Sequence, residues 1–266
     1  RPSISTASTD PWASSDFRSG VDFVSRQSAK LLFTPVRTWS DGTTTQVDEP
    51  LRQLLQERWN PLMSAYDAIY KAVSMLYVHN TSYSLIQREG NRPVAIWPLN
   101  VSQARFIESE GRVWAALRFA NGKSGVLRLD DLLVMRRHFH NADLTGDSNS
   151  AIAADLRMSQ ALSREVINSC DNSGVIRGIV FYPGNASIEK LDRLREDFVK
   201  SNLASNPSGL IVTDSSVDYK PLTPTFASVN HEDLDANRDR LLASLGINAD
   251  LVSGNFTADQ YSAFVE

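Results

Sequence analysis

The chain is poor in several features that would narrow its role at once. Its 266 residues include one cysteine, Cys170. That excludes an intramolecular disulfide framework and a cysteine zinc site, and a reducing compartment is the simplest setting. No apolar run approaches the roughly 20 residues of a membrane span, and no Arg- or Lys-led apolar signal segment stands at the start. A mean hydropathy of -0.26 reads as a soluble protein with no membrane partner. Positive charge is not in excess either: 27 Lys and Arg against 31 Asp and Glu give a net charge of -4. A protein that grips nucleic acid neutralises phosphates with a basic patch. This balance argues against that role but suits a surface that a polyanion passes without sticking.

Catalytic signatures are missing as well. There is no Gly-x-Ser-x-Gly elbow, dinucleotide glycine fingerprint or HExxH helix. Gly122-Lys123-Ser124 imitates the end of a phosphate-binding loop, but Leu117 stands where the first glycine belongs. A hairpin turn is the better reading. His138 and His140 would share one face of a strand, yet no carboxylate or third histidine completes a metal site. Asp143 and Asp147 do not follow the calcium-loop pattern. The acids of His231-Glu232-Asp233 suit the positive end of a helix dipole. Cys170 is read as following a helix C-terminus, the wrong end for a stabilised thiolate. The reading is therefore no catalytic residue, no metal and no cofactor. A site assembled from distant residues, in a hydrolase or metal-dependent enzyme, stays open as an alternative, as does a non-viral scaffold or adaptor.

The residues present divide into blocks. Residues 1–20, rich in Ser, Thr, Asp and Pro, read as a loosely ordered arm with Trp12 and Phe17 isolated, and 21–40 as packing on a domain edge. Asp41-Gly42 signals a turn. A short helix carries Pro50 near its start and Leu51, Leu54 and Leu55 on its buried side. Asn60-Pro61 breaks it, and Ser64 caps the next helix with Asp67 at the capping-box position. From Ser82 to Arg137 the period falls to two. Expected strands are 83–88, 95–98, 104–108, 113–119 and 126–129, with a further one at 132–135. Asn121-Gly122 is the strongest hairpin signal.

The stretch from Ser148 to Gly254 organises the rest. It reads as a helix from near Ser150, with Ile152, Leu156, Ser159, Leu162 and Val166 in one stripe, then an insert and a second helix over about 226–245. Leu234, Arg238, Leu241, Leu242 and Leu245 line one side of that second helix. Gly246 stops it as a left-handed cap that brings Ile247 onto Leu242. The insert reads as strands at 175–182 and 210–213 around a helix at 188–203, with Ile188, Leu191, Leu194, Phe198 and Val199 facing inward and a short run at 219–222. The balanced charges of its helix fit either a solvated face or a protein contact.

In this order the chain resembles a tailed-bacteriophage portal protein (head–tail connector) of the long-tailed phage type. The resemblance runs from Val47 to Glu266. It is carried by Val47-Asp48-Glu49-Pro50-Leu51 with Leu54-Leu55, Trp59-Asn60-Pro61-Leu62-Met63-Ser64, and Ser82-Tyr83-Ser84-Leu85-Ile86 followed by Ile96-Trp97-Pro98-Leu99. Leu129-Asp130-Asp131-Leu132-Leu133, Leu241 to Ile247, Leu251 to Gly254 and Phe256 to Phe264 complete it. Asn80 stands where the family favours glycine, and Asn248 where it favours proline.

The resemblance implies an α+β, phage-portal-like fold: an arm and wing edge (1–46), a β-rich wing with flanking helices (47–149), and two stem helices (150–168 and 225–246). The stems bracket a strand–helix–strand clip (169–224). A tunnel loop (247–258) and the start of a helix toward an absent crown (259–266) follow. It implies a homo-oligomeric ring of about a dozen copies closed by heterologous contacts, at one capsid vertex of the virion and assembled in the host bacterial cytoplasm. Expected partners are the terminase large subunit, head-completion or adaptor proteins, and capsid and scaffolding proteins. Double-stranded DNA passes non-specifically. Asn248, Asp250, Leu251, Val252, Ser253 and Asn255 are the expected DNA-facing loop, without Lys or Arg. Arg177, Lys190, Arg193 and Lys200 are the expected clip contacts to the motor or to neighbouring subunits.

Overall fold

A computed structural model describes residues 10–47, 49–173, 178–181, 188–198, 218–221 and 231–265. The chain divides into two compact units: Arg1–Ala161 with His231–Glu266, and Leu162–Asn230. The first is therefore left once and re-entered once.

The first unit is built on the segment that composition reads as arm and edge. Ser14 accepts a hydrogen bond from the Phe17 amide and starts helix α1 (Ser15–Ser28). Its buried stripe, Phe17, Val21, Phe23 and Val24, lies at the centre of the larger core. The expectation of a loose arm fails from Ser15 onward because these hydrophobes repeat at helical spacing, diluted by the polar residues of the opposite face.

Gly20 is a point of close approach. A Cβ there would lie 2.5 Å from Leu245 Cδ1 and 2.8 Å from Leu242 Cδ2. Helix α2 (Glu49–Gln56) buries Leu54 and half-buries Leu51 and Leu55. Helix α3 (Ala65–His79) is capped by Ser64, whose hydroxyl accepts from the Asp67 amide and donates to its carboxylate. It packs on α1, with Tyr70 donating to Asp22 at 2.7 Å and Ser74 to Ser25 at 2.9 Å. Buried Asn60 ties the α2–α3 break to the sheet by donating to Ile96 O at 2.9 Å.

A two-stranded hairpin, β1 (Val36–Thr38) and β2 (Thr44–Gln46), turns at Asp41-Gly42. Six longer strands follow: β3 (Thr81–Glu89), β4 (Arg92–Leu99), β5 (Val101–Ser109), β6 (Arg112–Phe119), β7 (Ser124–Arg128) and β8 (Leu132–Arg136). They form two antiparallel sheets, ordered β4-β3-β8 and β5-β6-β7. Glu110 and Gly111 both take positive φ, as a two-residue hairpin turn requires. Asn121-Gly122 turns the chain from β6 to β7, with Lys123 N donating to the Asn121 side chain at 3.1 Å. Gly122-Lys123-Ser124 is thus a hairpin.

A second, smaller core of Ala115, Leu117 and Leu132 lies between the sheets, with Leu99, Phe106 and Val134 packed against it.

Helix α4 (Ala153–Ser173) follows a short 3-10 turn at Asn149–Ile152. It runs through Cys170 instead of ending before it. Of its expected stripe, Leu156 is buried at 2% exposure, while Val166 is 38% exposed.

In the second unit, β9 (Gly178–Phe181) pairs antiparallel with β10 (Asp218–Pro221), and helix α5 spans Ile188–Phe198. Leu191, expected to face inward, is 45% exposed. The expected strand at 210–213, and Arg177 and Lys200, lie outside the described residues. Helix α6 (His231–Ser244) brings the chain back into the first unit, and α7 (Ala249–Ser253) and α8 (Ala258–Val265) end it.

Candidate functional site: the roots of two helices and the segment beyond them

Both helices that flank the second unit are rooted in one polar joint of the first. Asn80 ends α3 in the left-handed conformation, with φ 55°. Glycine reaches that region freely and asparagine is the next most tolerant residue, which is why Asn80 can stand where the resemblance favours glycine. The asparagine also contributes its amide. Buried at 1% exposure, it donates to Asp147 O at 2.8 Å and to the Asn149 side-chain oxygen at 2.7 Å. Asn149 in turn donates to Val78 O at 2.7 Å. The start of the α4 segment is thereby bonded to the last turn of α3, whose carbonyls have no partner within their own helix.

Gly146 completes the joint. Its amide donates to Thr81 Oγ1 at 2.7 Å, and any Cβ there would overlap Asn80 O and Arg137 O.

The root of α6 is held by Arg137. Its guanidinium donates to Ser244 O at 3.0 Å and lies 4.1 Å over the Tyr77 ring. A cation at a helix C-terminus meets the negative end of the dipole, and the ring face adds to the attraction. Burial pulls the Arg137 pKa below its ordinary value, with Tyr77 acting against that shift. Arg240 of α6 pairs with Asp155 of α4 at 3.0 Å, joining the two roots directly. Asn80, Arg137, Asp147, Asn149 and Ser244 line a cavity of about 440 Å³ here.

Sequence reading missed this joint. The available signal was an asparagine directly after an apolar helix and before a strand, paired by topology with the polar run 141–149. His138 and His140 lie in a loop, with His138 at φ 50°, so the strand geometry that would align them is not present. Among the described residues no group of three His, Cys, Asp or Glu is placed to hold a metal ion. No helix of the described residues is long and apolar enough to cross a membrane.

Beyond α6 a short helix, α7, occupies the middle of the expected loop, and this is a correction. The Schellman bonds are formed, Ile247 N to Leu242 O at 3.2 Å and Gly246 N to Ala243 O at 3.0 Å. Asn248 then caps α7, accepting from Leu251 N at 2.9 Å. Capping by asparagine does what an entering proline would otherwise favour.

Leu251 is buried at 4% exposure in the larger core, and Val252 is half-buried against it. Both are removed from the DNA-facing set, because α7 turns them toward the larger core, where Ile247 is also buried. Asp250, Ser253 and Asn255 are exposed, as is Asn248 at its cap.

Gly254, at φ 83°, ends α7, and Thr257 and Gln260 form a reciprocal capping box that starts α8. Tyr261 donates to Gln27 at 3.1 Å, and the Phe264 ring lies 5.5 Å from that of Phe23. In the second unit, Lys190 and Arg193 are exposed on α5, and Arg195 pairs with Asp192 at 3.6 Å.

These elements have counterparts in known proteins. A solved neck of an empty gene transfer agent particle, computed with C6 symmetry, contains a chain 16% identical. The match covers 94% of this chain and 71% of that one, with a TM-score of 0.63. The neck of the native particle, computed with C12 symmetry, gives 17% identity, coverage of 91% and 67%, and a TM-score of 0.62. An HK97-family phage portal protein from Corynebacterium diphtheriae gives 12% identity, coverage of 94% and 80%, and a TM-score of 0.56. At such identities the likeness is one of fold. Comparison with curated proteins returns no match. The phage portal protein family matches residues 15–265. With nearly the whole chain matched, from the first residue of α1 to the last of α8, this protein belongs to the phage portal protein family.

Proposed function

We propose that the chain is one subunit of a portal ring at a capsid vertex, a conduit through which double-stranded DNA enters during packaging and leaves at ejection. The observation that carries this reading is the single excursion of the chain. Two helices rooted side by side in one unit bracket a second, separately compact unit. A family of ring-forming conduits needs that division between a wall and a docking module. The solved relatives of C6 and C12 symmetry support a closed cyclic assembly, in which each copy offers unlike faces to its two neighbours.

In this reading the second unit docks the packaging motor and later the head-completion proteins. Lys190 and Arg193, with Arg177 and Lys200, supply cationic contacts to the motor or to neighbouring subunits. Asp250, Ser253 and Asn255 form the exposed tip beside the DNA. Lacking Lys and Arg, that tip touches the duplex without an ionic grip. The work of translocation comes from the motor, and the ring itself is not a catalyst.

Imaging of the full-length protein in negative stain tests the reading: rings with a central hole are expected, and monomers at every concentration would overturn it. Arg193→Glu tests the docking role. Motor affinity is expected to fall severalfold while the circular dichroism spectrum stays unchanged, and an unaltered affinity removes Arg193 from the contact.

A further inference from the structure

The link between α4 and α6 contains an acceptor whose strength oxidation can change. Arg240 reaches across from α6 with two different donors, Nε to Asp155 Oδ1 at 3.0 Å and Nη2 to Met158 Sδ at 3.2 Å. Asp155 and Met158 are three residues apart and so stand on one face of α4. The chain has four methionines. Met158 is 45% exposed and stands outside both cores, whereas Met63, Met75 and Met135 are half-buried. An oxidant dissolved in water therefore meets Met158 first, and making that side chain polar empties no packed site.

A thioether sulfur is a weak hydrogen-bond acceptor. Arg240 engages one of its two lone pairs and leaves the other free to react. With a hydroperoxide as co-reactant, that lone pair attacks one peroxide oxygen, so that an S–O bond forms and the O–O bond breaks. Sulfur is oxidised by two electrons and the peroxide is reduced. With hydrogen peroxide, the departing hydroxide takes the proton of the transferred hydroxyl and leaves as water. The product is a methionine sulfoxide, a change that reductases reverse. Rotation about the Cγ–Sδ bond brings its oxygen to the guanidinium N–H that faced the sulfur. A weak contact becomes a charge-assisted hydrogen bond. Asp155 keeps its own donor, Nε, so the new bond adds to the ion pair instead of competing with it.

We propose that Met158 is an oxidation-controlled latch: a hydroperoxide converts it to the sulfoxide, and Arg240 then holds α4 to α6 more firmly. The latch lies within the first unit and does not rest on the ring reading.

Peptide mass spectrometry and amide hydrogen exchange on the full chain test it. Every sample carries Cys170→Ser, so that thiol oxidation is silent. Under dilute hydrogen peroxide, Met158 should oxidise roughly threefold faster, or more, than any other methionine. Exchange across 153–161 and 236–244 should then slow about threefold, and methionine sulfoxide reductase should restore the original rate. Arg240→Leu should still oxidise at Met158 but show no slowing, a result that a change in side-chain polarity alone would not give. Met158→Leu should not respond to peroxide in either segment. Met158 and Arg240 are both exposed, so neither substitution should disturb the fold. Earlier oxidation of another methionine overturns the proposal. So does exchange that is unchanged or faster once Met158 is oxidised, or an equal slowing in Arg240→Leu.

Discussion

The two three-stranded sheets of the first unit have similar lengths and the same antiparallel wiring but opposite exposure. In β4-β3-β8, the run Thr81–Ser84 is buried on both faces. Ser84 pairs with Leu133 on the helix-covered side, while Tyr83 faces the other sheet, 6.4 Å from the Phe106 ring. In β5-β6-β7, by contrast, Ala115 and Leu117 are buried and the alternate residues Ile107 and Val126 are open. Short side chains on β3 leave room for α3 to approach, and Ile107 and Val126 on the outer sheet are left open among the described residues. One sheet holds the fold together and the other offers a surface.

Substitutions can break or sharpen this contrast. The largest effect is expected for Ser84→Asp, which forces a carboxylate into a 0% exposed position and should cost about 4 kcal/mol or more. Loss of soluble protein or collapse of the denaturation midpoint is the readout, and a normal melt would show that this face is open to water. Leu117→Ala on the buried side of the outer sheet should cost about 3 kcal/mol, measured in a denaturant melt.

At the head of β3, Asn80→Ala should cost about 2 kcal/mol, from lost hydrogen bonds and the left-handed backbone together, and Asn80→Gly about half that. Equal losses in the two variants would remove the backbone from the explanation. Ile107→Ser, on the open face, should shift stability by no more than about 0.5 kcal/mol. A large drop in its melting temperature would mean that the face is covered within its own chain.

Much of this architecture was readable in the residues. Period-two alternation located the strands from β3 to β8, and Asn121-Gly122 marked a hairpin through its backbone demands. Gly246 and Ile247 announced the end of α6 because a Schellman cap is local chemistry. The α1 helix was missed because its apolar stripe is diluted by Ser, Asp and Arg on the opposite face.

The joint at Asn80 and Arg137 was illegible for a different reason. Its partners, Asn149 and Ser244, are 69 and 107 residues away respectively, and no local pattern reports such pairing. The resemblance implies a loop over 247–258 with a helix after it, yet Asn248 and Leu251 carry the marks of a short capped helix inside that loop. What distinguished loop from helix there was the cap, not the hydrophobicity.

The short helix α7 is anchored by Leu251, with Ile247 just before it, in the larger core, and the next helix, α8, is held on α1 by Tyr261 and Phe264. A segment moored in this way has no slack. A push on its exposed corner is therefore met by the packing of α7 and α8 on the core of the first unit.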